Sequence, residues 1–220
     1  WKFDGLGDGV APVSVAGGRV FTTGYREKDE FCTAISEKDG KLIWSVKIGP
    51  AVQEYGVMRW LCQRTPTVDG ERLHVVTAAG EYICLAAETG KEIWRKHFQK
   101  DFEGKKQAWG YCDFPLVDGD RLIISPGGKQ AAMVALDKKT GEVIWKCALP
   151  GGELASHANL VVAEIGGVRQ FVHHFNKTLV GVEAATGKLL WRFDAFKGDT
   201  TATTHGPIVD TNSVFFASGY

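Results

Sequence analysis

The eleven residues Ala34–Trp44 (AISEKDGKLIW) decide the architecture, because close copies of them recur three more times in the chain. The other copies are Cys84–Trp94 (CLAAETGKEIW), Ala135–Trp145 (ALDKKTGEVIW) and Gly181–Trp191 (GVEAATGKLLW). Trp1 stands where a further copy would end, so successive tryptophans are 43, 50, 51 and 46 residues apart. A period of this length indicates one supersecondary unit stacked on itself. We therefore expect function to lie in the residues that differ between copies.

Each repeat is predicted to form four short antiparallel strands, and the third full copy shows them most clearly. Phe114–Val117 and Arg121–Ser125 are apolar runs on either side of the tight-turn sequence 118–120. Ala131–Leu136 and Glu142–Leu149 follow, separated by a polar turn that ends in glycine. No helical periodicity of useful length is present. Four-stranded units at this period predict an all-β chain built of β-propeller blades.

The residues that the copies share are predicted to be structural. A glycine follows Thr or Asp in every copy, at a tight turn where a positive φ is expected. These glycines are Gly40, Gly90, Gly141 and Gly187. Every copy opens with a small residue, which leaves room for a large one, and closes with a tryptophan. These are Trp44, Trp94, Trp145 and Trp191. We expect each tryptophan to fill such room on the neighbouring blade and so hold the blades together. A ligand-binding role for the tryptophans is disfavoured, because residues common to all repeats serve the repeat.

The pattern resembles the tryptophan-docking motif of the pyrroloquinoline-quinone-type (PQQ-like) β-propeller repeat, Ala-x-Asp-x-x-Thr-Gly-Lys-x-x-Trp. Ala135–Trp145 departs from it only at Glu142. The resemblance covers the whole chain and implies a ring that usually closes with seven or eight blades. We expect residues 1–220 to form a partial arc, with the native N-terminus upstream because the chain begins within a repeat. The expected blades are the tail of one (1–4), four whole ones (11–48, 65–98, 114–149 and 157–195) and the start of another (206–220).

The composition argues against several classes of protein. The 26 basic and 26 acidic residues balance, so nothing indicates a nucleic-acid partner. No apolar run is long enough to cross a bilayer, so no transmembrane segment is expected. The odd number of cysteines, with no adjacent pair and no Cys-x-x-Cys, favours buried apolar side chains over disulfides or a metal site. The cysteines are Cys32, Cys62, Cys84, Cys112 and Cys147.

The best candidate site lies in the loops that enter the innermost strand of each blade. When the copies are aligned, one position there carries an ionisable residue in each of four copies, of three different kinds. They are Arg64, Asp113, His157 and His205. A structural repeat does not need this variation, so the position is a candidate ligand site; the alternative is a hydrated funnel wall without a ligand. In a site, Arg64 would hold an anion, Asp113 could act as a base, and the histidines could act as bases or ligands.

The two longest connections between blades carry aromatic candidates. Residues 49–64 include Trp60, and residues 98–112 include Trp109 and Tyr111. Long loops on a rigid scaffold often carry function. These aromatic rings could stack on a planar ligand, or they could cap the hydrophobic rim, which we favour.

Two functions follow from the resemblance. The family includes quinone-dependent alcohol and sugar dehydrogenases, and also non-catalytic propellers such as an outer-membrane assembly lipoprotein. Catalytic members carry adjacent cysteines over the quinone and a calcium-binding carboxylate, but this chain has no Cys-Cys pair and no catalytic or metal residue can be assigned. We therefore expect a periplasmic or secreted binding or scaffolding domain, with a protein or small-molecule partner. The alternative is a dehydrogenase of an alcohol or sugar that uses PQQ with calcium.

Overall fold

A computed structural model describes residues 1–51, 64–107, 110–112, 114–194, 204–211 and 213–217. The chain divides into two compact units, Trp1–His97 and Phe98–Tyr220. Almost all of the regular structure in both units is antiparallel β-sheet. The all-β prediction is therefore confirmed.

The first unit contains two four-stranded sheets, each with its strands in chain order. The first sheet consists of β1 (Ser14–Ala16), β2 (Arg19–Arg26), β3 (Asp29–Ser36) and β4 (Leu42–Pro50). The second consists of β5 (Thr67–Asp69), β6 (Arg72–Val76), β7 (Glu81–Ala86) and β8 (Glu92–His97). We refer to these sheets as blades 1 and 2.

The second unit opens with one turn of helix, α1 (Phe98–Phe102), which the sequence pattern did not predict. Blade 3 then consists of β9 (Leu116–Asp118), β10 (Arg121–Ile124), β11 (Met133–Asp137) and β12 (Val143–Cys147). Blade 4 consists of β13 (Val161–Ile165), β14 (Val168–His174), β15 (Leu179–Glu183) and β16 (Leu189–Phe193). A two-stranded sheet of β17 (Ile208–Asp210) and β18 (Ser213–Phe215) follows.

Every blade has two distinct ends, because successive connections in an antiparallel meander lie at opposite ends of the sheet. The turn end carries the first-to-second and third-to-fourth strand turns. The predicted turn at residues 118–120 is one of these, since β9 ends at Asp118 and β10 begins at Arg121. The loop end carries the second-to-third strand connection and the connections between blades.

Tryptophan packing between blades is confirmed within each unit. The Nε1 of Trp44 donates a hydrogen bond to the carbonyl of Ala87 at 3.1 Å, and that of Trp145 donates to Ala184 at 3.2 Å. Each indole therefore reaches the third turn of the next blade. The four turn glycines have the expected positive φ, at +70° (Gly40), +71° (Gly90), +74° (Gly141) and +76° (Gly187).

One detail of the packing differs from the expectation. In blade 4 the small residue that opens the copy makes room for the tryptophan of its own blade, not for that of a neighbour. In blade 4, Gly181 is paired with Trp191, and a Cβ on Gly181 would stand 2.1 Å from the indole Nε1. That Nε1 donates to Oε1 of Gln170, also in blade 4, at 2.7 Å.

The described cysteines are buried thiols, as predicted for apolar core residues. Burial raises the pKa of Cys84 to about 12 and that of Cys147 to about 11. The pKa of Cys32 is also raised by burial. Free thiols are found at Cys32, Cys84, Cys112 and Cys147. Cys62 lies outside the described residues.

Candidate functional site

Three segments at the loop end of the second unit are joined by backbone hydrogen bonds. We call residues 104–107, 126–128 and 153–156 the loop platform. Lys105 N–H donates to Pro126 O at 3.0 Å, and Lys105 O accepts from Ala155 N–H at 2.7 Å. Gly128 N–H donates to Glu153 O at 2.6 Å. These hydrogen bonds thus fix three loops to one another. They are the loop that follows α1, the β10–β11 loop and the loop after blade 3.

Gly127 makes this joining possible. Its φ is +73°, and a Cβ there would stand 2.4 Å from both Ala155 N and Lys105 O. Only glycine satisfies both the backbone conformation and the close approach of two other segments.

Aromatic side chains support the platform from within the unit. Phe98 and Phe102 of α1 are buried, and Tyr111 is fully buried with its ring edge-on to Phe98 at 4.8 Å. Burial raises the pKa of the Tyr111 hydroxyl well above its usual range. A capping role for Tyr111 at the hydrophobic rim stays a prediction. Trp60 and Trp109 lie outside the described residues.

An ion pair joins Glu153 of the platform, whose carboxylate is buried, to the partly exposed Arg192. Arg192 Nη2 is 2.7 Å from Glu153 Oε1, and the Glu153 side chain is only 4% exposed. Leu154 N–H donates to Oδ1 of Asn176 at 2.8 Å, which ties the platform to the β14–β15 loop. A small cavity of about 240 Å³ opens here, lined by Gly151, Gly152, Glu153, Leu154, Asn176 and Lys177.

The predicted ring of ionisable residues is placed unevenly. Arg64, in the first unit, is 1% exposed, and its carbonyl accepts a hydrogen bond from Thr23 Oγ1 at 3.2 Å. In the second unit His157 is half-buried and His205 is exposed. Their segments lie side by side, because a Cβ on Gly206 would stand 3.1 Å from the carbonyl oxygen of Asn159. Asp113 lies outside the described residues.

Sequence reasoning passed over the role of Ser156, which precedes His157. Its Oγ donates to the carbonyl of His174 at 2.5 Å and lies 3.4 Å from Nε2 of His173. Both histidines are in β14 and fully buried. Burial, with a smaller contribution from neighbouring His174, lowers the pKa of His173 to about 3; burial alone lowers that of His174 to about 4. Both imidazoles are therefore neutral at pH 7 and serve packing.

Metal-binding side chains are not clustered in the described part of the chain. Within those ranges no three His, Cys, Asp or Glu side chains come together as metal ligands. Calcium binds through several oxygen ligands, commonly carboxylates, so the described part of the chain supplies no such set. In the described part of the chain, no helix is both long enough and apolar enough to cross a bilayer.

The family is decided by the sequence comparison. A family model described as outer membrane protein assembly factor BamB matches residues 28–220. The chain belongs to this family. Among curated relatives, BamB of Shewanella oneidensis is 23% identical over 215 residues, covering 94% of this chain and 50% of that protein. Quinohemoprotein alcohol dehydrogenase ADH IIB of Pseudomonas putida is 26% identical over 153 residues, covering 62% of this chain and 21% of that protein.

Two solved structures that are similar to this BamB-family chain represent the same two groups. Quinohemoprotein alcohol dehydrogenase ADHIIG from Pseudomonas putida HK5 aligns with a TM-score of 0.61 and 21% identity, over 84% of this chain and 34% of that one. BamB from Moraxella catarrhalis aligns with a TM-score of 0.59 and 16% identity, over 94% of this chain and 66% of that one. The fold prediction is thereby confirmed. The chain spans half or less of the length of the curated relatives above.

Proposed function

We propose that this chain is part of a non-catalytic propeller that binds a protein partner outside the cytoplasm, with the loops that the loop platform joins as part of the binding surface. The family match and the BamB relatives support a binding or scaffolding role. Those relatives are named as outer membrane protein assembly factors, which supports a protein partner and an extracytoplasmic location here.

The platform is the observation that carries the proposal. Its three segments come from different parts of the chain, yet Lys105, Gly128 and Ala155 fix them through backbone hydrogen bonds. Loops that are held in one conformation before binding lose little conformational entropy when a partner docks. A binding scaffold needs this property.

The ionisable groups around the platform also favour binding over catalysis. The Glu153 carboxylate is paired with Arg192, and His173 and His174 are buried and neutral. A general acid or base must reach a substrate proton, directly or through one water. These three groups are instead used in the interior of the unit.

A second candidate is a dehydrogenase of an alcohol or sugar that uses PQQ and calcium. The observation that favours it is the similarity to quinohemoprotein alcohol dehydrogenase ADH IIB, and to a polyvinylalcohol dehydrogenase that is 27% identical over 141 residues. Under this alternative the quinone and calcium ligands would come from outside the described residues.

One titration separates the two candidates. The full-length protein is titrated with PQQ and calcium while tryptophan fluorescence is followed, and dye reduction is then measured with simple alcohols and glucose. The binding proposal predicts no saturable fluorescence change and no alcohol-dependent dye reduction by protein shown to be folded by circular dichroism. Saturable binding with turnover would overturn it and establish the dehydrogenase. His157→Ala and His205→Ala variants would then show whether those residues contribute.

A further inference from the structure

A separate cleft lies at the turn end of the first unit. It encloses about 490 Å³ and is independent of the loop platform. One wall is Arg19 of blade 1, and the other consists of the β5–β6 and β7–β8 turns of blade 2. We call it the turn-end cleft; its lining residues are Arg19, Gly70, Glu71, Arg72, Ala86, Ala87, Glu88, Thr89 and Ile93.

The arginines of this cleft occupy an equivalent position in successive repeats. Arg19 begins β2 and Arg72 begins β6, and Arg121 begins β10 in blade 3. Each arginine is paired with a residue on the next strand of its blade. That partner lies two positions after the small residue that opens the blade's copy of the eleven-residue motif. Blade 4 has Gln170 at this position.

In blade 3 the arginine at this position forms a hydrogen bond to the next blade. Arg121 Nη1 donates to the carbonyl of Ala184, which also accepts the bond from Trp145. In the first unit the equivalent carbonyl is that of Ala87, and it accepts from Trp44. Arg19 does not repeat the bond to the next blade: its Nη1 donates to Gly17 O, in its own turn, at 3.2 Å.

The two guanidinium groups of the cleft therefore keep donors that the described residues do not satisfy. The Nε atoms of Arg19 and Arg72 are buried without a hydrogen-bond partner among those residues. Glu71 and Glu88 also line the cleft, but both are exposed and neither forms an ion pair with these arginines in the described part of the chain. The cleft thus holds two cations, and neither of the acidic residues in its lining forms an ion pair with them.

We propose that the turn-end cleft binds an oxyanion, either a carboxylate or a phosphate, through Arg19 and Arg72. The planar guanidinium fork matches two oxygens of such a group and forms shorter, stronger charge-assisted bonds than neutral donors do. The anion is either free in solution or a carboxylate carried by an acidic peptide segment. Both share the chemistry that the cleft recognises.

The test is calorimetric titration of the full-length protein at constant ionic strength, held with sodium chloride. One arm uses inorganic phosphate and the other an N-acetylated hexapeptide of aspartate and glutamate. We expect saturable binding in at least one arm, and the tighter arm identifies the source of the anion. Arg19→Gln and Arg72→Gln should each weaken that binding by about tenfold or more, the effect of removing a charge-assisted contact.

Arg121→Gln is the matched control. Its guanidinium already donates to Ala184, so this variant should lose stability yet bind the anion as the wild type does. Glu88→Gln provides a test that does not depend on an arginine variant folding, because Glu88 is exposed. Removing this negative charge from the rim should tighten binding severalfold. No saturable binding in either arm, equal weakening by Arg121→Gln, or no tightening by Glu88→Gln would overturn the proposal.

Discussion

Replacing Gly187 by alanine should destabilise the folded state far more than the same change at Gly166, in the same blade. Both glycines have a left-handed backbone, with φ of +76° and +60°. An alanine in that conformation costs about 1 kcal/mol at either position. At Gly187 the new Cβ would also stand 2.5 Å from Cε3 and 2.6 Å from Cδ2 of Trp145, whereas no heavy atom lies within 4 Å at Gly166.

The indole of Trp145 has little room to move away. Its Nε1 is bonded to Ala184 O, and its ring packs 6.1 Å from that of Phe171 in the core of the unit. Forcing a group into a packed core costs about 1–3 kcal/mol, and losing the hydrogen bond costs about 1 kcal/mol more. We therefore expect Gly187→Ala to cost about 3–5 kcal/mol and Gly166→Ala about 1 kcal/mol.

Urea unfolding of the full-length protein measures both values. The midpoints, compared at equal m, give the change in the free energy of unfolding for each variant. Gly166→Ala is the matched control, because it changes the same backbone conformation without the contact to Trp145. Equal destabilisation of the two variants, within about 0.5 kcal/mol, would refute the argument that the indole is held against this turn.

Three further predictions concern buried ionisable groups. The pKa values of His173 and His174 lie below the value near 6.5 of the unfolded chain, so the unfolded state binds more protons below that pH. The free energy of unfolding should thus fall by about 2 kcal/mol per histidine between pH 7 and pH 5, and a pH-independent urea midpoint would contradict this. Arg192→Met should lower the free energy of unfolding by about 2–4 kcal/mol, because it leaves the buried Glu153 carboxylate without its cation. Adding Glu153→Gln to this variant should restore part of the lost stability. Because burial raises the pKa of Cys84 to about 12, its thiol should resist disulfide-exchange reagents at pH 8 until the chain unfolds. Mass spectrometry locates the labelled residues, and rapid labelling of Cys84 in native protein would count against its burial.

Much of the fold could be predicted because the repeat is local. The turn glycines, such as Gly90, and the closing tryptophans, such as Trp44, recur at the same place in every copy, so their roles follow from the pattern. The helix turn at Phe98–Phe102 was missed because it is only five residues long and therefore shows no periodicity.

The loop platform could not be predicted from the sequence, because it depends on contacts between distant residues. Residues 126–128 were recognisable only as a break in strand structure, but Gly127 is needed because Lys105 and Ala155 both approach it. Nothing in the local sequence indicates which segments will meet there. Aligning the repeats shows that Arg19 and Arg121 occupy the same position. The alignment does not show that they form different hydrogen bonds.

The candidate ring was predicted only as a set of aligned positions. The alignment put Arg64 in a funnel wall, but alignment cannot foresee burial, and Arg64 is 1% exposed. The segments carrying His157 and His205 do lie side by side in the second unit. A binding role for these residues remains a proposal.

The central claim is that the loop platform is held in one conformation before any partner binds. Amide hydrogen exchange of the full-length protein, without ligand, tests it at the amides of Lys105, Gly128 and Ala155. We expect protection comparable to that of the strand amides of blade 3. This protection should be lost in Gly127→Ala but not in Gly119→Ala, where a Cβ would meet no atom within 4 Å. Exchange of the three wild-type amides at the rate of exposed loops would contradict it.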